Sequence, residues 1–301
     1  EPSGVSILFK NSPNFLYNHS HRDANSFLIW YKEDLALDSG IYDRYDSEHW
    51  WNYYTRSIAH NTVLIKDPNE VFKRFGKKLV NDGGQRYLYK KNYQPFNVQD
   101  LESGDFSVGD NQVLVNSEDY LYIVGDATKS YSSQKCEVFK RHFIILKNID
   151  GWSKPVVIIY DDIVSTDKTF KKTWVMHLAG KPYLKGSVVT TLNGGAKLRL
   201  YVIGAEKYDF KFIGGLQGEE YKVDGQFFKP KDQDLSQRSG WRVEISPKKD
   251  ERQAKFLNVL VVSDRKEEAM PLIEETKKGF RISNWLIKIE NDAVTLQKIK
   301  S

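Results

Sequence analysis

Short runs with period-two alternation, rich in Val, Ile, Tyr and Phe and bounded by turn residues, recur along the whole chain. They fall at Gly4–Phe9, Ser26–Tyr31, Leu35–Asp38, Asn61–Ile65, Arg86–Tyr89, Gln112–Val115, Tyr120–Gly125, Val138–Lys147, Val156–Ile163, Phe170–Leu178, Ser187–Leu192, Lys197–Val202, Trp241–Ile245, Phe256–Val262, Trp285–Glu290 and Ala293–Lys298. No segment carries a capped apolar stripe of period 3.6 and helical length. Gly83-Gly84, Asn193-Gly194-Gly195 and Gly214-Gly215 punctuate the runs as turns or bulges. The chain is therefore expected to be all-β, a large antiparallel two-layer β-sandwich. The sandwich is expected over residues 1–265, where SDRKEEAMP turns polar, with 266–301 as trailing strands or a small separate sheet.

The 301 residues suffice for one large core, and no internal repeat divides them. A net charge of +5 admits nucleic acid, a membrane surface or an acidic polysaccharide as partner. No nucleic-acid-binding signature accompanies the charge, so nucleic acid is not expected. No apolar run reaches the roughly 18–20 residues that span a bilayer, so membrane insertion is not expected either. Cys136 is the single cysteine; without a partner in the chain it reads as a packed thiol on a strand.

Chemistry concentrates between His19 and Thr62, which holds four of the six histidines together with several Asp, Arg, Tyr and Trp residues. The hairpin of Ser26–Tyr31 and Leu35–Asp38, with Lys32–Asp34 at its tip, returns Asp38 toward the end where His19, His21 and Asp23 sit. His21, Asp38 and His60 are then a candidate metal set, since two imidazoles and a carboxylate leave one zinc position open to water. Asp23 or Asn25 would hold a ligand ring from behind. The competing reading has the same histidines capping strands through backbone hydrogen bonds.

His19 could face a substrate, offsetting the charge of a uronate carboxylate and acidifying the adjacent C–H. Arg56 and Arg22 are candidate clamps for carboxylate or sulfate. Tyr42, Tyr45, Tyr53 and Tyr54 offer stacking faces or a phenolic acid, against a plain packing role for each. Asp161 and Asp162 point to opposite faces of a strand, which demotes them as a glycosidase pair. His49 has no partner spacing, and His142 and His177 sit in apolar strands as structural groups.

Three ordered strings carry a resemblance: H-x-H-x-D-x-N-S-F from His19, L-A-x-D-S-G-x-Y from Leu35 and R-S-x-A-H-N-T from Arg56. With KRHFIILKN, VVIIYDDI and TWVMHL they resemble the heparinase II/III-like polysaccharide lyases, heparinase II-like members above all. The resemblance implies an N-terminal α/α-toroid followed by an antiparallel β-sandwich, and this chain resembles only the sandwich part. It implies β-elimination on acidic polysaccharides such as heparan sulfate or alginate, with abstraction of the C5 proton of a uronate. It matches His19 to a histidine of the active cleft; from their own chemistry Arg56 and Tyr45 are further candidates at the reaction, and Arg22, Tyr53 and Tyr54 on substrate. It makes His21, Asp38 and His60 the ligands of one mainly structural zinc. The toroid supplies the remaining proton-transfer groups, and the site of action is the periplasm or outside the cell. The alternatives are a non-catalytic carbohydrate-binding sandwich or a purely structural one. A homodimer through an exposed sheet edge stays open.

Overall fold

A computed structural model describes residues 4–16, 19–74, 76–87, 94–215, 218–231, 240–276, 279–290 and 292–299. The alternating runs pair into a seven-stranded and an eight-stranded antiparallel sheet whose inner faces share one core. The first sheet runs in the order Ser6–Lys10, Ser26–Tyr31, Glu33–Ala36, Lys171–Leu178, Trp241–Pro247 and Tyr208–Gly214. Its seventh strand, Val63–Lys66, pairs with Lys171–Trp174. The second sheet runs Tyr183–Lys185, Val188–Asn193, Ala196–Val202, Gln253–Asp264, Val156–Ser165, Cys136–Leu146, Tyr120–Asp126 and Asp110–Asn116. Phe27, Trp174, Met176 and Val243 of the first sheet meet Phe139, Phe143, Ile159 and Leu260 of the second in the shared core. The fold is thus the expected two-layer β-sandwich. The only α-helix among the described residues is Val98–Glu102.

A third, smaller layer explains why VVIIYDDIV lacks a polar face. Four strands, Ile273–Thr276, Gly279–Ile282, Trp285–Glu290 and Ala293–Lys298, form their own sheet. Phe280, Trp285 and Ile287 cover Ile144, Ile158 and Val261 on the outer face of the eight-stranded sheet. A strand buried on both sides reads as a continuous apolar run rather than an alternation. The strand Tyr208–Gly214 was not apparent from the sequence because Asp209 and Lys211 interrupt a short edge segment. Of the strand expected at Arg86–Tyr89, Arg86 and Tyr87 are irregular, and the rest lies outside the described residues.

The seven-stranded sheet has a split edge, and this split positions the site. Val63–Lys66 pairs with the first half of Lys171–Leu178, whereas Ala36 pairs with Leu178 at its far end. The opening between them is filled by Asn61. Its amide nitrogen donates to the carbonyls of Phe27 and Leu37, and its oxygen accepts from the His177 backbone N–H at 2.7 Å. The Val175 N–H donates to the Thr62 carbonyl. Backbone groups that a continuous strand would satisfy are thus satisfied by one side chain. His60 emerges at the rim of that plug.

His142 lies on the outer face of the eight-stranded sheet, its Nδ1 2.6 Å from the Tyr122 hydroxyl. Burial lowers its pKa to about 4. The unfolded chain binds this proton near pH 6.5 and the folded chain does not, so stability is complete above pH 6.5 and declines as pH falls through about 4. The contribution at stake is of order 3 kcal/mol. His142→Gln keeps an acceptor for Tyr122 without a titrating ring. Its urea-unfolding midpoint is expected to fall less than that of the parent between pH 7 and pH 4.5. Parallel curves would show that His142 is not the acid-sensitive group.

Candidate active site

The loops that follow the first strand and precede Val63–Lys66 meet over the outer face of the seven-stranded sheet. Asp38 lies two residues beyond the end of Glu33–Ala36, in irregular chain rather than in the strand. The Ser39 N–H donates to the Ala59 carbonyl, which ties the Asp38 loop to the turn Ser57–Ala59 just before His60. The Arg22 N–H donates to Thr55, and the Ser57 hydroxyl donates to the Arg22 carbonyl. The Gln85 side chain both donates to and accepts from the backbone of Ala24. Four separate stretches of chain are thereby fixed around two imidazoles.

His21 Nδ1 and His60 Nε2 face each other at 3.2 Å. The other nitrogen of His60, Nδ1, stands 2.8 Å from Asp38 Oδ1. Burial, followed by the charge of His60, lowers the His21 pKa to about 3. Burial works against a proton on His60 as well, but the Asp38 carboxylate and its hydrogen bond outweigh it and raise the pKa. Asp38 is shifted down in return, burial opposing and His60 prevailing. One hydrogen therefore lies between the two nitrogens. Either ring can carry it, and a metal ion can take its place once that proton leaves.

The donor atoms of His21, Asp23 and His60 all lie within 4.8 Å of one another. Two imidazoles and a carboxylate, largely shielded from water, suit a divalent ion of the zinc type. The structure brings His21 and His60 of the expected set together but puts Asp38 behind His60, where it orients the ring; Asp23 takes the converging position. The Asp23 Oδ2 also holds Lys10 Nζ at 2.6 Å. The H-x-H-x-D spacing contains Asp23, but which carboxylate faces the imidazoles depends on loop closure and is not legible in the sequence.

The remaining candidates separate clearly. His19 is exposed, with a left-handed backbone (φ 61°), and shares a small pocket with Tyr45, Trp50 and Trp51. Tyr45 is 38% exposed and packs against both tryptophans. Arg56, expected at the reaction, is fully buried and pairs with buried Asp82 at 2.5 Å, beneath the Phe72 ring. Its charge is turned inward, which corrects the expectation of a clamp. Arg22, expected on substrate, is also buried; it donates to the carbonyls of Ser20, Arg86 and Tyr87 and stacks on Phe15.

Tyr53 is fully buried, its hydroxyl donating to Ser39 and its pKa pushed up by burial to about 12. It is a core residue, not a stacking face. Tyr54 is partly buried and sets its ring edge-on to His21 at 4.6 Å. His49 donates from Nδ1 to the Phe228 carbonyl and accepts the Ile41 N–H, a structural bridge. His177 donates from Nε2 to the Ile58 carbonyl, buried below His60. The Cys136 thiol is buried and its pKa pushed up to about 12, which leaves it unreactive. Trp50, Trp51 and Arg74 were not singled out from the sequence, where nothing distinguishes them from core aromatics and surface charge; Arg74 stacks on the Trp51 ring at 4.1 Å.

Fold and site together define an antiparallel β-sandwich domain carrying a histidine–carboxylate cluster on its loop-covered face. The family described as Heparinase II/III-like, C-terminal, matches residues 4–272, and the chain belongs to that family. Comparison with curated proteins finds no match. Among solved structures, the heparan sulfate lyase HepC from Pedobacter heparinus aligns with a TM-score of 0.60 at 14% identity, over 98% of this chain and 39% of that one. A heparinase III gene product aligns with a TM-score of 0.58 at 15% identity, over 99% and 38%. Another heparinase III structure aligns with a TM-score of 0.56 at 12% identity, over 100% and 40%. The chain thus spans about two-fifths of the length of the structures it matches. No helix among the described residues is long and apolar enough to cross a membrane.

Proposed function

We propose that this chain is the sandwich portion of a polysaccharide lyase that cleaves uronic-acid glycans by β-elimination, in the periplasm or outside the cell. The observation that carries the reading is the facing His21–His60 pair with exposed His19 two residues before it in the chain, in a chain of this family. In the reaction a base removes the C5 proton α to the uronate carboxylate. The electron pair forms the C4=C5 double bond, the C4–O bond breaks, and the leaving oxygen takes a proton. His19 offsets the carboxylate charge as the C5 carbanion develops. Tyr45, exposed at the pocket that His19 lines, serves as a phenol for proton transfer in this reading.

A zinc ion held by His21, Asp23 and His60, with Asp38 fixing His60, would supply a rigid cross-link between the loops that position His19. A helical partner domain of the same protein is expected to close the other side of the cleft and to complete the proton-transfer set. Elimination creates a conjugated double bond that absorbs in the ultraviolet. Protein carrying both portions, incubated with heparan sulfate and with alginate, is expected to raise that absorbance on at least one of them. Glycan binding without any absorbance change on either substrate would establish a binding module instead.

A further inference from the structure

A second concave surface lies on the same outer face of the seven-stranded sheet, on the far side of the Ser57–Ala59 turn from the imidazoles. It is a groove of about 350 Å³ with Ile58, Leu64, Ile213 and Val223 among its lining residues. Its charges do not balance. Asp224 faces Lys66 at 3.4 Å, Glu244 faces Arg242 at 2.8 Å, and Asp82 belongs to buried Arg56. Every carboxylate of the groove therefore already has a cation. Lys171, Lys211 and Lys222 also line it, all three exposed and none ion-paired among the described residues: Glu244, opposite Lys211 in the strand register, bonds Arg242, and Lys222 lies over the Phe227 ring at 5.3 Å. Lys171 in addition stands directly opposite Lys66 in the strand register, an arrangement of like charges that costs stability unless an anion lies between or above them.

We infer that this groove is an accessory subsite for an anionic saccharide, with the three lysines meeting carboxylate or sulfate groups and the aliphatic side chains meeting the C–H faces of the sugar rings. The volume falls within the range of small-ligand sites. No aromatic ring is among the lining residues, and the neighbouring Phe227 ring is met by Lys222 and Lys229 at 5.3 and 5.1 Å, so the groove itself offers no row of stacking faces of the kind single-stranded nucleic acid uses. The inference rests on the acidic-glycan reading above, extending it from the cleft at His19 to a distal part of a longer chain.

The test is calorimetric titration of the 301-residue protein with a fully sulfated heparin tetrasaccharide, with an eight-nucleotide single-stranded DNA as comparator. Lys171→Gln/Lys211→Gln/Lys222→Gln removes three exposed charges and leaves the core intact, which thermal unfolding checks. Affinity for the tetrasaccharide is expected to fall by about five- to a hundredfold, three exposed charge contacts being lost together. The DNA is expected to bind more weakly throughout. Unchanged tetrasaccharide affinity in the triple variant overturns the subsite. DNA binding of equal strength and equal lysine dependence overturns its assignment to saccharide. Because the readout is binding, a protein that binds through these lysines but never produces the ultraviolet signal sinks the lyase reading and leaves the groove standing.

Discussion

Arg141→Met is expected to destabilise the protein by about 3–5 kcal/mol, the cost of leaving one member of a buried ion pair alone. Arg141 and Asp161 are directly opposite on adjacent strands of the eight-stranded sheet, both fully buried. Their side chains meet through two hydrogen bonds, at 2.7 and 2.8 Å. The remaining Arg141 nitrogen crosses the sandwich and donates to the carbonyls of Asn25 and Asn61. Burial pushes the Asp161 pKa up, with Arg141 opposing. Without Arg141 the carboxyl would take a proton in the folded state and release it on unfolding above about pH 4. The deficit of the variant relative to the parent should therefore narrow as pH falls from 7 toward 4.

Arg141→Met/Asp161→Leu separates two roles of the arginine. An apolar pair of similar volume in place of a buried ion pair is often neutral or better, so most of the loss should return. What remains, about 1–3 kcal/mol, is the cost of two carbonyls with no donor. Those carbonyls belong to Asn25, four residues after His21, and to Asn61, next to His60. Urea titrations of the three proteins at pH 7 and pH 4.5 measure all of this. Full recovery in the double variant would show that the cross-sandwich bonds contribute nothing.

The same residues show where sequence reading works and where it stops. Alternation in SFLIWY and VVTTLN reports burial on one face, which is a local property, so the strands and the sandwich were legible. That Asp161 and Asp162 diverge was legible for the same reason. Burial of Arg56 was not, because whether a charged side chain points to a cleft or into the core depends on a partner 26 residues away. Asp82 lies in a glycine-rich turn whose sequence announces only the turn. Tyr53 and Tyr54 illustrate the limit at its narrowest. They are adjacent on the short helical segment Trp50–Tyr54, yet one is sealed against Ser39 and the other touches His21. The segment has π-helical geometry, and no apolar periodicity marks such a turn. The histidine pairing itself was legible only because three spaced strings occurred in order.

His19→Ala and His21→Ala are expected to fail in different ways, and the difference tests the whole reading of the site. His21→Ala and His60→Ala each remove a nitrogen from the facing pair, so zinc content measured on purified protein should fall to background. Thermal stability should fall with it, because an ion held by loops of the folded chain would stabilise that form over the unfolded one. His19→Ala touches neither nitrogen; its exposed side chain can leave without a cavity. That variant should keep its zinc and its unfolding midpoint. In protein that also carries the helical portion, it should lose elimination activity by about 10²–10⁴-fold, the usual contribution of a positioned proton-transfer or charge-stabilising side chain.

The carboxylates order themselves by the same logic. Asp38→Asn loosens His60 from behind and should weaken zinc by about 10–100-fold. Asp23→Asn removes a converging donor and should weaken it further, while freeing Lys10. The reverse order would make Asp38 the ligand and Asp23 the support. Loss of zinc in His19→Ala to the same degree as in His21→Ala would erase the division of labour, leaving one cooperative loop in which no histidine has a separate task.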